Sequence, residues 1–221
     1  MNFNKNFKTY NDEAFIQTKV ANNLLKYIDI NKTYDNILEL GCGTGIFSKL
    51  IFENISYNSL DLNDYFDSTN FLEGIKYNNF FQGDMQNLNL HSYSLICSSS
   101  SLQWIDDLDT LFFKISKNCE EFIFSIYIKD NLIEIKNHFG ISLNYKTFEE
   151  INLLLEKYFI IINAHKGTYT LEFDSPLSAL KHLKKTGVTG IGKTSVSLIK
   201  TFKNKTLTYK VAYFKCKKKG E

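Results

Sequence analysis

The sequence predicts an α/β fold, a doubly wound sheet of mainly parallel strands with helices on both faces. Strand patterns alternate with helical patterns as far as about residue 128, which is typical of a parallel sheet. A glycine-rich turn joins the first strand to the following helix, and acidic residues come after the next two strands. The 221 residues suit one domain with a sizeable core, and we take this domain to span residues 1–221.

The chain before the first strand is predicted to be helical. Apolar residues between Phe7 and Leu25 recur at roughly helical intervals, which indicates one short amphipathic helix or a pair of them. We therefore expect residues 1–34 to form an N-terminal helical cap beside the sheet.

Residues 39–45 form the most informative segment. They follow the apolar pair at 37–38 and lead into an apolar run, so they are read as a strand end, a glycine turn and a helix start. Glycine lets the backbone approach a ligand closely, and the N–H groups of a helix N-terminus face that ligand. The dinucleotide-binding pattern needs a third glycine where this chain has Ile46, which disfavours nucleotide-dependent redox chemistry.

Polar residues follow each of the next three strands. The second strand is predicted to end at Asp61, 22 residues after Glu39, where a carboxylate can bind the ribose hydroxyls of a nucleoside. A third strand ends at Asp84, and a fourth, Tyr93 to Cys97, leads into serines at 98–101. These elements in this order indicate a nucleoside-type ligand at the carboxyl edge of the sheet.

The second half of the chain supplies the remaining elements. We predict a fifth strand at 121–128, a helix at 148–159 and strand material, either a long strand or a hairpin, at 159–173. A second helix at 177–185, a last strand at 207–214 and a frayed tail at 215–221 follow. Thr147 and Glu150 form a capping box for the first helix, and the only proline, Pro176, begins the second. Residues 174–206 are interpreted as a lid insertion.

Charge is distributed unevenly along the chain. Residues 1–165 carry 13 lysines and 21 acidic residues, whereas residues 166–221 carry 13 lysines and three acidic residues. The lysine-rich C-terminal quarter suggests an acidic partner. The chain has no arginine, which disfavours a specific reader of nucleic acid.

The remaining composition excludes several other classes. No apolar stretch is long enough to span a membrane, and the polar N-terminus does not fit a signal peptide. The four cysteines are scattered, without Cys-x-x-Cys spacing or histidine partners, so we expect reduced side chains, a cytoplasmic location and no metal site.

The motifs together resemble one family. The Gly-x-Gly-x-Gly turn with an acid at the strand end resembles motif I of class I S-adenosylmethionine (SAM) methyltransferases. More narrowly, the chain is similar to the malonyl-acyl-carrier-protein O-methyltransferases of biotin synthesis, the BioC family. The matching residues are Phe7, Tyr10, Ala14 and Gln17 near the N-terminus, Leu102, Gln103 and Trp104 after the fourth strand, residues 179–187 in the predicted lid helix, and Leu207, Thr208 and Tyr209 in the last strand. The serines at 98–101 and the run at 117–119 depart from the family pattern.

The resemblance implies a Rossmann-like, seven-stranded sheet and methyl transfer from SAM to the free carboxylate of a malonyl thioester, without a general base or a metal. The implied cofactor-binding residues are Tyr10, Gln17, Glu39, Gly41, Cys42, Gly43, Gly45, Asp61, Leu62, Asp84, Met85 and Ser99. The implied substrate-binding residues are Gln103, Trp104, Lys181, His182 and Lys184, and Tyr10, Gln103 and Trp104 would position the acceptor. The lysine-rich quarter would dock an acidic acyl carrier protein.

Two alternatives stay open. A class I methyltransferase could act on another small carboxylate or on a hydroxyl, and the choice between carrier protein and coenzyme A is not decided by the sequence. A SAM-fold interaction or regulatory module is the non-enzymatic alternative, which the intact Glu39, motif I glycines and acidic residues disfavour.

Overall fold

The computed structural model describes residues 14–186 and 196–220. Its strands are β1 (Thr33–Leu40), β2 (Ser56–Asp64), β3 (Asn79–Gln82), β4 (Tyr93–Ser99), β5 (Cys119–Tyr127), β6 (Phe159–Glu172) and β7 (Thr206–Lys218). Its α-helices within these ranges are α1 (Phe15–Leu25), α2 (Ile46–Asn54), α3 (Leu108–Asn118), α4 (Ile133–Phe139), α5 (Phe148–Tyr158), α6 (Pro176–Thr186) and α7 (Val196–Thr201). Tyr10 and the glycines of the predicted lid lie outside the described residues.

The strands form a single seven-stranded sheet in the order β3-β2-β1-β4-β5-β7-β6. Strands β1 to β5 are parallel, and β7 runs antiparallel to both β5 and β6. The predicted doubly wound α/β fold is therefore confirmed. The strand order reverses direction between β1 and β4, and ligands of such sheets bind at this point, beyond the carboxyl ends of the strands.

Two hydrophobic clusters cover the two faces of the sheet. Side chains alternate along β5, so that Ile123 belongs to one cluster and Phe122 and Phe124 belong to the other. Helices α1, α2, α4 and α6 contribute buried residues to the first cluster, whereas α3 and α5 contribute to the second. The sheet is thus buried on both faces, as expected when crossover helices cover a parallel sheet.

Several predicted helix boundaries are confirmed. Helix α5 begins with the capping box, in which the Thr147 side chain accepts from the Glu150 N–H and the Glu150 carboxylate accepts from the Thr147 N–H. At the start of α6 the Ser175 hydroxyl accepts from the Ser178 N–H, and Pro176 occupies the first turn. The strand material at 159–173 is one long strand, β6, and no hairpin interrupts these residues.

The predicted frayed tail is wrong, because β7 continues to Lys218 between two partners. Lys215 and Cys216 pair with Ile123 and Phe122 of β5 on one side and with β6 on the other. The Cys216 side chain is fully buried, and the Lys215 ammonium lies 3.6 Å from the Glu121 carboxylate. Alternation between buried and exposed residues allows lysines to occupy the strand without entering the core.

Candidate active site at the carboxyl edge of the sheet

A cavity of about 370 Å³ opens beyond the carboxyl ends of β1 to β5. Its size lies in the range of small-molecule sites. The described lining residues are Gln17, Ala21, Glu39, Gly41, Cys42, Gly43, Thr44, Ile46, Phe47, Asp64, Tyr65, Phe66, Gly83, Asp84, Met85, Gln86, Ser99, Ser100, Ser101, Gln103, Trp104, Ile105, Tyr127, Leu143 and Tyr145. The cavity occupies the point where the strand order reverses.

The glycine turn after β1 forms one wall of the cavity. The N–H groups of Gly41 and Cys42 both donate to the Asn63 carbonyl at 2.9 Å, which fixes the turn against the end of β2. Gly41 has φ +72°, and a Cβ there would lie 2.4 Å from the Ser101 side chain. Glycine is therefore required at this position by both backbone conformation and packing.

Gly45 lies outside the cavity, in contrast to the prediction that it contacts the cofactor. A Cβ on Gly45 would lie 2.8 Å from Leu72 and 3.1 Å from Ile75, and φ is +79°. This glycine therefore allows close packing of the helix start against the segment after β2, which is a structural role.

The acidic residue at the end of β2 is Asp64. Its carboxylate accepts from the Gly43 N–H at 2.8 Å and from the Phe66 N–H at 3.0 Å, so that it joins the glycine turn to the following loop. Burial raises the pKa of Asp64, while the hydrogen bonds from the Phe66 and Gly43 N–H groups oppose this shift.

The prediction that Asp61 ends β2 and faces the ligand is wrong. The strand continues for three more residues. The Asp61 carboxylate accepts from the Asn79 amide at 2.8 Å and from the Tyr93 hydroxyl at 3.0 Å, within the sheet. Leu62, which was predicted to bind the cofactor beside Asp61, is fully buried in the core. The acid and the following residue at the cavity are Asp64 and the aromatic Tyr65.

Glu39 is the second acidic residue of the cavity, at the end of β1. Its side chain is 1% exposed, and the Ser48 hydroxyl donates to it at 2.5 Å. Burial raises the pKa of Glu39 to about 8, the Ser48 hydrogen bond opposes this, and the nearby Asp64 charge adds to it. A cation beside Glu39 would stabilise its ionised form.

The third acidic residue, Asp84, follows β3 through Gly83. Its carboxylate accepts from the Gln86 N–H at 2.9 Å and caps a short 3₁₀ turn that begins at Met85. The Lys114 ammonium donates to the Gln86 carbonyl at 2.8 Å and holds the far side of the same turn. Met85 is buried beside the cavity and supplies an apolar surface.

The serines at 98–101, at the end of β4 and just after it, bond β1 and line the cavity. The hydroxyls of Ser98 and Ser101 donate to the Leu40 carbonyl at 2.8 and 3.0 Å, so they satisfy the last carbonyl of β1. Ser99, Ser100 and Ser101 line the cavity. Ser100 has φ 56°, a left-handed conformation that is uncommon for serine.

Gln103 and Trp104 form a 3₁₀ turn with Leu102, and both of them line the cavity. The Gln103 amide donates to the Ser100 carbonyl at 2.5 Å, which fixes the orientation of this side chain. Within the described part of the chain, its carbonyl oxygen Oε1 is buried without a hydrogen-bond partner, and so is the Ser100 hydroxyl. Buried polar atoms without partners are rare, so these two atoms are candidates for binding a ligand.

The cavity is acidic. Glu39, Asp64 and Asp84 line it, and the described lining residues include no lysine, arginine or histidine. A ligand with positive charge would compensate these carboxylates, whereas a dinucleotide would bring phosphates toward them. The charge of the cavity therefore favours a cationic nucleoside.

Comparison with known proteins agrees with this chemistry. A family model described as a methyltransferase domain matches residues 38–119. A malonyl-(acyl-carrier protein) O-methyltransferase of Calditerrivibrio nitroreducens is 34% identical over 238 aligned residues, which cover 100% of this chain and 96% of that protein. This chain belongs to the malonyl-(acyl-carrier protein) O-methyltransferase family.

Solved structures share the fold of this methyltransferase. The YcgJ protein of Bacillus subtilis superposes with a TM-score of 0.67 at 12% identity, over 91% of this chain and 99% of that one. The N-methyltransferase NodS of Bradyrhizobium japonicum, in complex with S-adenosyl-L-homocysteine (SAH), superposes with a TM-score of 0.58 at 10% identity, over 90% of this chain and 86% of that one. The chain is a SAM-dependent methyltransferase, for which SAH is the product of the methyl donor.

The three predicted substrate residues on α6 do not line the cavity of this methyltransferase. His182 is 3% exposed, its ring lies 3.2 Å from the Tyr209 hydroxyl and beside Phe173, and it is therefore part of the core. Lys181 and Lys184 are exposed on the outer surface of the same helix.

Residues that the sequence did not indicate complete the cavity. Tyr127 lies at the carboxyl end of β5, so the strand pattern could have identified it. Leu143 and Tyr145 come from the segment between α4 and α5, which carries no motif. Gln17, which was predicted, lies on α1 and is 7% exposed at the cavity wall.

The structure also describes the cysteines, the groups that could bind a metal and the lengths of the helices. All four cysteines are buried and unpaired. Within residues 14–186 and 196–220, no three His, Cys, Asp or Glu side chains are grouped so that they could hold a metal ion. Across the same ranges, every helix is too short or too polar to cross a bilayer.

Proposed function

We propose that this chain transfers the methyl group of SAM to the free carboxylate of a malonyl thioester on acyl carrier protein. The product would be the methyl ester that primes pimeloyl and biotin synthesis. The observation that carries the proposal is the acidic cavity at the reversal point of the sheet, which lacks a cationic side chain among its described walls. The name of the full-length relative supplies the acceptor.

The cavity residues fit SAM, which is a nucleoside with a sulfonium and an ammonium group. Glu39 and the turn residues Gly41, Cys42 and Gly43 would surround the methionine part. Because burial disfavours the charged form of Glu39, a bound ammonium would be a favourable partner for this carboxylate. When bound, SAM supplies an electrophilic methyl group.

The adenosine part is assigned to the ends of β2 and β3. Asp64, in place of Asp61, would accept the ribose hydroxyls, and Asp84 with Met85 would contact the adenine. Gln17 and Ser99, which also line the cavity, would complete the cofactor site. The assignment of Tyr10 to this site stays a prediction from the sequence.

The acceptor chemistry requires positioning and no general base. A carboxylic acid is already ionised at neutral pH, so no residue of the chain has to remove a proton. Gln103 and Trp104 would hold the acceptor, and the apolar walls around them would exclude water from the reacting carboxylate. Both residues lie on a short turn that β4 positions.

Part of the lysine-rich quarter remains a proposed docking surface for the carrier protein. Lys181 and Lys184 are exposed on α6, which follows the carboxyl end of β6 at the same edge as the cavity. The lysines of 215–219 are less suitable, because β7 is antiparallel and its end lies at the opposite edge. The core position of His182 removes it from this surface.

The cysteines bear on the cellular compartment in which the protein works. All four thiols are buried and unpaired, and burial raises the pKa of Cys42 beside the cavity. Unpaired cysteines are typical of reducing compartments, so we propose that the protein works in the cytoplasm.

The decisive experiment is incubation with methyl-labelled SAM and malonyl-carrier protein, followed by mass measurement of the acyl group. We expect a gain of one methyl group on the malonyl carboxylate. Free malonate, malonyl-coenzyme A and a hydroxyl acceptor serve as comparisons. Methylation of one of these alone, with none on malonyl-carrier protein, would replace the proposal by a methyltransferase for another small acceptor.

A further inference from the structure

A second cavity of about 80 Å³ adjoins the SAM cavity. The two cavities share the lining residues Gln103, Trp104, Ile105, Tyr127, Leu143 and Tyr145. The second cavity therefore extends from the acceptor side of the SAM cavity toward the segment between α4 and α5. We refer to it as the side channel.

The walls of the side channel suit a narrow chain that alternates apolar and amide groups. Leu108 and Ile126 supply apolar surface, and Asn144 supplies an amide. The buried Gln103 oxygen Oε1 has no hydrogen-bond partner among the residues that the structure describes, and Gln103 lines both cavities. It is an acceptor that an N–H group of a ligand could satisfy.

A lysine lies at the wall of the side channel. Lys146 lines it together with the acidic Asp106. Its ammonium is also within electrostatic range of Asp107 and Glu150, but among the described residues it forms no ion pair within 4.0 Å. Its backbone carbonyl accepts from the Lys129 N–H at 2.9 Å, so the backbone segments that carry these two lysines are adjacent. The SAM cavity, by contrast, has no cationic side chain on its described walls.

We propose that the side channel is the route along which the phosphopantetheine arm of the acceptor reaches the SAM cavity. Its volume of about 80 Å³ holds one segment of the arm, and the remainder extends into the SAM cavity on one side and past Lys146 on the other. This arm is a linear thiol with two amide groups and a terminal phosphate, so it requires a narrow path, an amide partner and a cation. Gln103 Oε1 accepts an amide N–H of the arm, and Lys146 binds its phosphate. The inference rests on the proposed function, since only a carrier-bound or coenzyme A acceptor has such an arm.

Trp104 provides a direct binding assay, because it is the single tryptophan of the chain and lines both cavities. In the presence of SAH, titration with 4′-phosphopantetheine should change its fluorescence at lower concentration than titration with pantetheine, which lacks the phosphate. Lys146→Ala should remove most of this difference, about tenfold in Kd. Lys136→Ala is the control, because Lys136 is exposed, lines neither cavity and lies in an outer groove that adjoins Tyr145.

Steady-state kinetics give a second readout. With malonyl-carrier protein, Lys146→Ala should raise KM about tenfold and leave kcat nearly unchanged, since the lost contact is distant from the reacting carboxylate. With malonyl-N-acetylcysteamine, which has no phosphate, the variant and the wild type should give equal KM. Leu143→Phe, which narrows the channel, should impair the carrier substrate more than the short one.

The outcomes separate this inference from the proposed function. Equal affinity of the wild type for pantetheine and phosphopantetheine, or an equal effect of Lys136→Ala and Lys146→Ala, would overturn the channel assignment. If the wild type binds phosphopantetheine through Lys146 but methylates no malonyl thioester, the channel stands and the proposed function fails. If it methylates malonyl-carrier protein and Lys146→Ala changes neither KM nor fluorescence, the function stands and the channel fails.

Discussion

At the end of β2 two aspartates, Asp61 and Asp64, lie three residues apart in different surroundings. The carboxylate of Asp61 is occupied by Asn79 and Tyr93 within the sheet, whereas that of Asp64 holds the glycine turn at the cavity. Asp61 follows Leu60 and Asp64 follows Asn63, and both aspartates lie within a sequence that fits a strand. The local sequence therefore does not show which aspartate ends the strand. Pairing of Leu40 with Asn63 extends β2 and makes Asp64 the terminal acid.

Asp64→Asn should weaken SAH binding about 10- to 100-fold, because hydrogen bonds to a charged acceptor contribute about 1.5–3 kcal/mol. Isothermal titration calorimetry with SAH measures this effect. Asp61→Asn is the matched control and should leave the affinity within about twofold, since its carboxylate faces Asn79 and Tyr93. The reverse ranking of the two variants would return the ribose contact to Asp61.

Glu39 makes the stability of the ligand-free protein depend on pH. Burial raises the pKa of Glu39 to about 8 in the folded chain, whereas an unperturbed glutamate has a pKa of 4.5. Between these two pH values the folded state keeps a proton on Glu39 that the unfolded state releases. The stabilisation from the protonated form is complete below the unfolded pKa and is lost as pH rises through the folded pKa. The upper limit of the loss is about 1.4 kcal/mol per pH unit in this window.

We expect Glu39→Gln to flatten this dependence, because glutamine does not titrate. Urea unfolding of the wild type and the variant at about pH 5.5 and about pH 7.5 tests this expectation. The free energy of unfolding should fall more between the two pH values for the wild type than for the variant. The same variant should bind SAH weakly. Parallel pH profiles for both proteins would show that Glu39 is ionised in the folded, ligand-free chain.

At the level of elements, the end of β7 was the clearest departure from expectation. A lysine-rich run at a chain terminus is typical of a solvated tail. Here β7 lies between β5 and β6, so both of its edges form hydrogen bonds, and its alternate residues reach the core. Tertiary pairing thus overrides the local preference of the lysines.

Deletion of residues 215–221 should therefore destabilise the protein by about 3 kcal/mol or more, through lost ladder hydrogen bonds and the lost burial of Cys216. Chemical denaturation monitored by circular dichroism measures the loss. Deletion of residues 219–221, beyond the ladder, is the control and should have little effect. A similar stability for both truncated chains would restore the frayed-tail interpretation.

The helices differ in how clearly the local sequence predicts where they begin. Helices α5 and α6 have local start signals, a capping box and a first-turn proline, and their starts were predicted. Helix α4 was not predicted, since it has seven residues and begins after Leu132 in a left-handed conformation. Such a short helix is stabilised by packing, here of the buried Ile135, more than by its own sequence.

On the scale of the whole molecule, both hydrophobic clusters share one sheet. Residues of β1, β4, β5 and β7 contribute to each cluster, so the same strands join the two clusters. This organisation supports the expectation that residues 1–221 form one domain.

We predict that the chain unfolds in one cooperative transition, with Trp104 fluorescence and far-ultraviolet circular dichroism giving the same midpoint. SAH at 100 times its Kd should raise the free energy of unfolding by about 2.7 kcal/mol, because it binds the folded state only. Asp64→Asn should show a smaller increase at the same SAH concentration. Two separated transitions would mean that part of the chain, such as the antiparallel edge of β6 and β7, unfolds independently.

Local signals along the chain were enough for the alternation of strands and helices, the glycine turn, the capped helices and the family. Each of these depends on residues within a few positions of one another, or on a pattern that repeats along the chain. The identity of the β2 acid, the packing role of Gly45, the core position of His182 and the side channel of Leu143 and Tyr145 depend on which distant segments meet. Strand register and burial set those contacts, and both result from the packing of the complete sheet.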